Sequence, residues 1–109
     1  MGELNYCCTN RQRRGSCYFE FQRGRFQGIY WKETSIYVDA DDFDRLLLYR
    51  IFPPEFQYYG ETFITASQWH QICLAAREIG GEVQAITAEI DPWARDCFRA
   101  EPVFTILGV

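Results

Sequence analysis

The stretch that decides the fold is VFTIL, residues 103–107, which is apolar at four of its five positions. Such a short and almost continuous apolar run, rich in β-branched and aromatic residues, is typical of a strand that is covered on both faces. We therefore predict that residues 103–107 form a strand in the middle of a sheet. The other elements are placed around this strand.

A helical pattern precedes this strand, from Glu82 to about Arg99. The apolar residues that recur at helical spacing are Val83, Ile86, Ile90, Trp93 and Cys97. Pro92 interrupts the pattern, and proline is disfavoured inside a helix but suits its first turn. Two alternatives stay open, a kinked helix or a break at which Asp91 caps a new helix.

Two further helices are predicted upstream. Residues 65–68, TASQ, match a capping box, in which Thr65 and Gln68 satisfy free backbone N–H groups, and Gly80-Gly81 ends this helix. Its buried residues are predicted to be Trp69, Ile72, Cys73, Ala76 and Ile79. The aspartates of residues 39–42 favour another helix start, and this helix should run to about Phe52 before Pro53-Pro54. Its buried residues are predicted to be Phe43, Leu46, Leu47 and Ile51.

The remaining strands are indicated by alternation of apolar and polar residues. Residues 17–22, CYFEFQ, place two phenylalanines on one face and Glu20 and Gln22 on the other. Residues 28–31 and 35–38 share a period of two around a short connection and predict a hairpin, and residues 61–65 can supply another strand. The fold class is therefore α+β, a two-layer sandwich of a mostly antiparallel sheet with about three helices.

The length of 109 residues fits a single domain, which we assign to residues 17–109. Residues 1–16 show no periodicity and mix polar residues with arginines, so we expect a loosely ordered basic leader there. No apolar run approaches the roughly 18 residues that a membrane span needs. We expect a cytoplasmic protein that does not bind membranes.

The charge is divided unevenly along the chain. Residues 1–32 carry six basic residues and two carboxylates, whereas residues 33–109 carry five and thirteen, and the formal net charge of the chain is −4. The negative field of residues 33–109 repels phosphate backbones and attracts a basic partner. The composition therefore argues against nucleic-acid binding by the body of the protein.

Catalytic and metal-binding motifs are missing from the sequence. The five cysteines show no CxxC spacing, so we expect reduced thiols, with Cys73 and Cys97 buried on helix faces and Cys7 and Cys8 exposed. Residues 39–44, DADDFD, lack the glycine that a calcium loop needs, and the single histidine, His70, follows Trp69 and should point to solvent. We expect no enzyme activity, no metal and no cofactor.

Recognition is favoured instead, because the aromatic residues number nineteen in total and tyrosine is enriched at interfaces. A partner-binding surface would combine clustered carboxylates with the Tyr58-Tyr59 pair. The residues that we assign to it are Asp39, Asp41, Asp42, Asp44, Glu55, Tyr58, Tyr59 and Glu61.

Three stretches, SIYVDADDFDRLL, YYGETFITASQW and DPWARDCFRAEPVFTILGV, make residues 28–109 resemble small bacterial immunity proteins of contact-dependent growth inhibition and related polymorphic toxin systems. The resemblance implies a cytosolic protein that binds one cognate toxin domain, usually a basic nuclease, and blocks its active site. It carries over no catalytic residues.

The sequence is compatible with other functions. The main alternative is a small structural or subunit protein that forms a homodimer or docks on a larger complex, so a homo-oligomer is compatible with the sequence. An enzyme that uses His70 with Glu61, and an RNA-binding arm formed by Arg11, Arg13 and Arg14, are further alternatives.

Overall fold

Five strands form one antiparallel sheet, and three helices pack against one of its faces, in a computed structural model that describes residues 5–108. The predicted α+β fold class is confirmed. The strands are β1 (Cys7–Cys8), β2 (Tyr18–Arg23), β3 (Ile36–Asp39), β4 (Glu61–Thr65) and β5 (Val103–Leu107). The helices are α1 (Ala40–Leu47), α2 (Ala66–Ile79) and α3 (Gly81–Phe98).

The strand order is β1-β3-β2-β5-β4, so β5 lies between β2 and β4. All five residues of β5 are buried, as predicted for a strand that is covered on both faces. Phe104 and Ile106 point towards the helices, and the Phe104 ring contacts the rings of Trp69 and Trp93. We call the face that the helices cover the inner face and the opposite one the outer face.

Two helices begin directly at the residue that ends a strand. Asp39 ends β3 and caps α1, where its carboxylate accepts the N–H of Asp41 at 3.0 Å. Thr65 ends β4 and forms the predicted capping box with Gln68 at the start of α2. Each of these helices is therefore joined to its strand without an intervening loop.

Helix α1 is shorter than predicted, because it ends at Leu47 and not near Phe52. The chain leaves the helix through tight turns and a left-handed residue, Arg50, whose φ is 57°. This reversal returns Phe52 to the core, where its ring contacts that of Phe43 at 5.2 Å. Leu48, the next apolar residue after the helix, is 78% exposed.

Helix α3 is continuous from Gly81 to Phe98 and contains Pro92. The alternative of a break with a new helix start at Asp91 is therefore wrong. Four of the five residues predicted to face the core are buried, and Trp93 is half-buried, with its indole N–H donating to the carbonyl oxygen of Thr34 at 3.0 Å.

The predicted hairpin is wrong in its first strand, because residues 28–31 form no strand. The backbone N–H groups of Trp31 and Lys32 donate to the carboxylate of Glu20 and not to a neighbouring strand. Trp31 also adopts a left-handed conformation with φ 59°, which is incompatible with an extended strand. Residues 24–35 consequently form a loop between β2 and β3.

Part of the predicted leader belongs to the sheet. Cys7 and Cys8 pair with Val38 and Tyr37 of β3, and the Glu89 carboxylate of α3 accepts the N–H groups of residues 5–7. Cys7 is buried and Cys8 half-buried, so the expectation that both are exposed is wrong. Cys97 is buried as predicted, whereas Cys73 is half-buried. Residues 1–4 of the leader lie outside the described residues.

Candidate functional site

The start of α1 uses two of its aspartates within the fold. Asp39 satisfies the helix cap, and Asp42 forms an ion pair with Arg45 three positions later. Arg45 also donates from Nε and a terminal nitrogen to the two carboxylate oxygens of Glu82, at 2.9 and 3.0 Å. These hydrogen bonds lower the pKa of Glu82 and raise that of Arg45. Asp42 therefore belongs to a charge cluster that links α1 to α3.

Asp44 connects the acidic helix to the aromatic segment that follows it. The Tyr58 hydroxyl donates to the Asp44 carboxylate at 2.7 Å, and this hydrogen bond, together with burial, raises the pKa of Tyr58 to about 12. The Tyr58 ring packs edge-on against the core residue Phe19, with 5.3 Å between ring centroids. Tyr58 is thus anchored on one side by the core and on the other by α1.

Tyr59, the residue after Tyr58, extends into solvent. Its ring lies 4.8 Å from that of Tyr58, and the residue is 84% exposed. Asp41, Asp44 and Leu48 lie three and four positions apart along α1 and its final turn, so they share one side of the helix. We call Asp41, Asp44, Leu48, Tyr58 and Tyr59 the acidic–aromatic surface.

The other two predicted site residues lie elsewhere. Glu55 is exposed beside a groove that it lines together with Gln68 and Gln71 of α2. Glu61 begins β4, where it pairs with Leu107, and its side chain is on the outer face of the sheet. The structure therefore brings together Asp41, Asp44, Tyr58 and Tyr59 out of the eight predicted residues.

The pair of residues considered for acid–base chemistry is not assembled. His70 is exposed on α2, and within residues 5–108 no hydrogen bond or ion pair joins it to Glu61. In the same part of the chain, no group of three or more histidine, cysteine, aspartate or glutamate side chains could hold a metal ion.

A second surface, which the sequence patterns did not indicate, lies on the outer face of the sheet. Glu20 is only 3% exposed, and its carboxylate accepts hydrogen bonds from the backbone N–H groups of Trp31 and Lys32 at 2.8 and 2.9 Å. The same carboxylate accepts the hydroxyls of Ser35 and Tyr37 at 2.7 and 3.2 Å. Such multiple charge-assisted hydrogen bonds hold the loop of residues 24–35 against the sheet.

Gln22 attaches the middle of the same loop. Its side-chain amide donates to Glu20 at 2.9 Å and to the carbonyl oxygen of Ile29 at 2.7 Å. Within the described residues, the other amide atom, Gln22 Oε1, is buried without a hydrogen-bond partner. The alternation in residues 17–22 could indicate a polar outer face, but it does not show that this face is covered.

The loop presents apolar side chains to solvent. Ile29 and Tyr30 are 61% and 58% exposed, and Trp31 stacks on Tyr37 with 5.7 Å between ring centroids. Arg13 lies over the Trp31 ring at 4.0 Å, which places a cation beside this aromatic pair. We call Ile29, Tyr30 and Trp31 the loop surface.

None of the helices in the described part of the chain is both long enough and apolar enough to cross a membrane. Comparison of the chain with protein-family models, with curated proteins and with solved structures returns no match.

Proposed function

We propose that the chain is an immunity protein that binds a cognate toxin domain, a basic nuclease, and covers its active site with the acidic–aromatic surface. The observation that carries this proposal is the hydrogen bond between Asp44 and Tyr58. It joins two features that are separate in the sequence, the acidic helix start and the tyrosine pair. The resemblance of residues 28–109 to immunity proteins supports the same function, which would place the protein in the cytoplasm of a bacterium.

The charge distribution supports a basic partner. Asp41 is exposed, the Asp44 carboxylate accepts the Tyr58 hydroxyl, and within residues 5–108 neither aspartate forms an ion pair. A nuclease presents cations that are arranged for phosphates, and carboxylates at the edge of an inhibitor would attract those cations. Charges of this kind act mainly on the association rate and on its salt dependence.

The aromatic residues of the acidic–aromatic surface would supply most of the binding affinity for the toxin domain. Tyr59 and Leu48 are among the most exposed large apolar residues described, and Tyr58 beneath Tyr59 is held by both Phe19 and Asp44. A tyrosine that is already ordered loses little entropy on binding and can form the desolvated centre of an interface. The acidic residues would then surround this centre.

The experiment co-expresses the protein with the C-terminal domain encoded by the adjacent upstream reading frame. The expected result is protection from growth arrest and a co-purified 1:1 complex. Tyr59→Ala should weaken the complex mainly through faster dissociation. Growth arrest that persists in the presence of the protein, or a neighbour that is harmless and does not co-purify, would overturn the proposal.

A matched pair of charge reversals tests the acidic edge. Asp41→Lys should slow association and reduce its salt dependence, because it places a cation beside the tyrosine pair. Glu78→Lys makes the same change in net charge at an exposed position of α2 and should have a smaller effect. Equal association rates for the two variants would remove Asp41 from the interface.

The loop surface favours a second candidate function, a subunit that forms a homodimer or docks on a larger complex. Consecutive exposed apolar residues on an ordered loop are typical of a contact surface. Light scattering tests the homodimer directly. A dimer that dissociates on Tyr30→Ser would favour this candidate, and a monomer at high concentration would argue against the homodimer.

A further inference from the structure

Strand β4 lies at one edge of the sheet, and in the described part of the chain only β5 pairs with it. We call the side of β4 that faces away from β5 the free edge. The alternate residues Glu61, Phe63 and Thr65 are exposed, and the chain turns directly into α2 after Thr65. An edge strand of this kind presents backbone N–H and C=O groups that can pair with another strand.

Two hydrogen bonds show which backbone groups of β4 point to the free edge. The N–H of Gly108 donates to the carbonyl oxygen of Gly60 at 2.8 Å, so this oxygen points to β5. The direction of the backbone groups alternates along an antiparallel strand, and those of Glu61, Phe63 and Thr65 therefore point away from β5. The N–H of Thr65 agrees with this direction, because it donates to the capping box of α2. Within residues 5–108, the N–H groups of Glu61 and Phe63 have no hydrogen-bond acceptor.

The free edge of β4 is complementary to itself. Phe63 is the middle residue of the strand, and its backbone groups point to this edge. If a two-fold axis beside Phe63 relates two antiparallel copies of β4, the two Phe63 residues exchange their N–H···O=C bonds. The same register places Glu61 of one copy opposite Thr65 of the other, and the N–H of Glu61 then donates to the carbonyl oxygen of Thr65. No like charges lie directly opposite each other in this register.

A pair of opposite charges on the outer face fits the same register. The Arg25 guanidinium lies over the Phe63 ring, 5.0 Å from its centroid. Arg25 is at the Thr65 end of β4, because the preceding residue donates its N–H to Val103, which pairs with Thr65. Glu61 of a second copy would lie at this same end of the strand. Within residues 5–108, neither Arg25 nor Glu61 forms an ion pair, so both charges are available.

We propose that the protein forms a two-fold homodimer in which the β4 strands of two copies pair antiparallel. The two Phe63 rings are then neighbours on the outer face, and Arg25 of each copy lies against Glu61 of the other. Aromatic and opposite-charge pairs across neighbouring strands stabilise a sheet. The pairing uses neither the acidic–aromatic surface nor the loop surface, so it does not depend on the proposed immunity function.

Sedimentation velocity of the full chain at low salt, over a range of concentrations, tests the pairing. The wild type should form a reversible dimer. Arg25→Glu and Glu61→Arg should each weaken this dimer by at least about tenfold, because both charge pairs then become repulsive. An equimolar mixture of the two variants should restore the dimer, since both pairs in the mixed dimer join opposite charges. A folding defect in either variant could not produce this restoration.

Two further variants separate the charge pairs from general electrostatics and from the backbone. Glu78→Arg makes the same charge change as Glu61→Arg at an exposed position of α2 and should leave the dimer intact. Phe63→Pro removes the N–H at the centre of the pairing, at an edge position where proline is tolerated, and should be folded by circular dichroism but monomeric. If Phe63→Pro is unfolded, the charge variants decide the proposal.

Three results would overturn the proposal. The first is a wild type that stays monomeric at concentrations on the order of 1 mM. The second is a mixture of Arg25→Glu and Glu61→Arg that associates no more tightly than each variant alone. The third is a dimer that Tyr30→Ser dissociates and Arg25→Glu does not, because that dimer would use the loop surface. Growth protection by the protein is measured separately, so failure of the dimer and failure of the immunity function are distinguishable.

Discussion

Gly108 lies against the backbone of Tyr58 so closely that a Cβ atom at position 108 would approach the Tyr58 carbonyl oxygen to 1.8 Å. The N–H of Gly108 also donates to the carbonyl oxygen of Gly60 at 2.8 Å. The end of β5 therefore fixes the backbone on both sides of Tyr59. This contact determines where the acidic–aromatic surface presents its most exposed ring.

We expect Gly108→Ala to destabilise the protein by about 1–3 kcal/mol, because the added methyl group meets backbone that has to shift. It should also weaken the proposed complex beyond this loss, since Tyr59 moves with that backbone. Urea unfolding and a binding assay measure the two effects. Gly60→Ala is the matched control, because a Cβ there meets only the side chain of Gln57 at 3.4 Å. Equal stabilities for the two variants would contradict the close contact.

Replacement of the buried carboxylate should release the loop of residues 24–35. Glu20→Gln replaces one carboxylate oxygen by an NH₂ group, which cannot accept the hydrogen bonds that this oxygen accepts in the wild type. We expect the free energy of unfolding to fall by about 2 kcal/mol. Hydrogen exchange at the N–H groups of Trp31 and Lys32 should accelerate more than exchange at the N–H groups within the sheet. Glu33→Gln, at an exposed position of the same segment, should change stability by less than about 0.5 kcal/mol. Unchanged exchange at Trp31 would show that Glu20 does not hold the loop.

Asp91 should contribute to the acid sensitivity of the protein. Its folded-state pKa is lowered, so its contribution to stability is complete above the unfolded-state pKa of about 4 and disappears as the pH falls through the folded-state pKa. Asp91→Asn should be less stable than the wild type at neutral pH and should lose less stability on acidification. Urea midpoints between about pH 7 and about pH 3 measure this difference. Glu78→Gln, an exposed carboxylate of α2, is the control, and parallel curves for Asp91→Asn and the wild type would refute the prediction.

The cysteines should differ sharply in their reaction with iodoacetamide. Cys17 is exposed, whereas Cys7 and Cys97 are buried and burial raises the pKa of both thiols. Cys73 is half-buried, and burial raises its pKa to about 11. Because the thiolate is the reactive form, Cys17 should be alkylated first. Peptide mass spectrometry follows the order, with the urea-unfolded protein as the control. If Cys7 or Cys97 were alkylated in the folded protein as fast as Cys17, the burial of these two cysteines would be contradicted.

Local patterns were sufficient for the elements whose structure depends on neighbours in sequence. The capping box at Thr65 and the apolar run of β5 are of this kind, and both are confirmed. The end of α1 was predicted wrongly because its apolar residues continue past the helix, while the return of Phe52 to Phe43 is a tertiary contact that periodicity does not encode.

The surfaces were harder to predict, because they depend on residues that are distant in sequence. Alternation in β2 suggested a polar face at Glu20, yet this carboxylate is buried by backbone N–H groups eleven and twelve positions later. The clustering of aspartates likewise did not show that Asp39 and Asp42 have partners within the fold. Charge counts therefore located the acidic part of the chain but not the side chains that remain available.

The central place of β5 has a consequence for the order in which the protein can form during synthesis. Strand β4 pairs with β5, and β2 meets β4 only through it, although residues 103–107 are translated after every other strand described. Until these residues leave the ribosome, the nascent chain holds the β1-β3-β2 part of the sheet and the unpaired strand β4, and their exposed edges can pair with other chains. Messages truncated just before Val103 should therefore yield aggregates or degradation products rather than a shortened version of the fold.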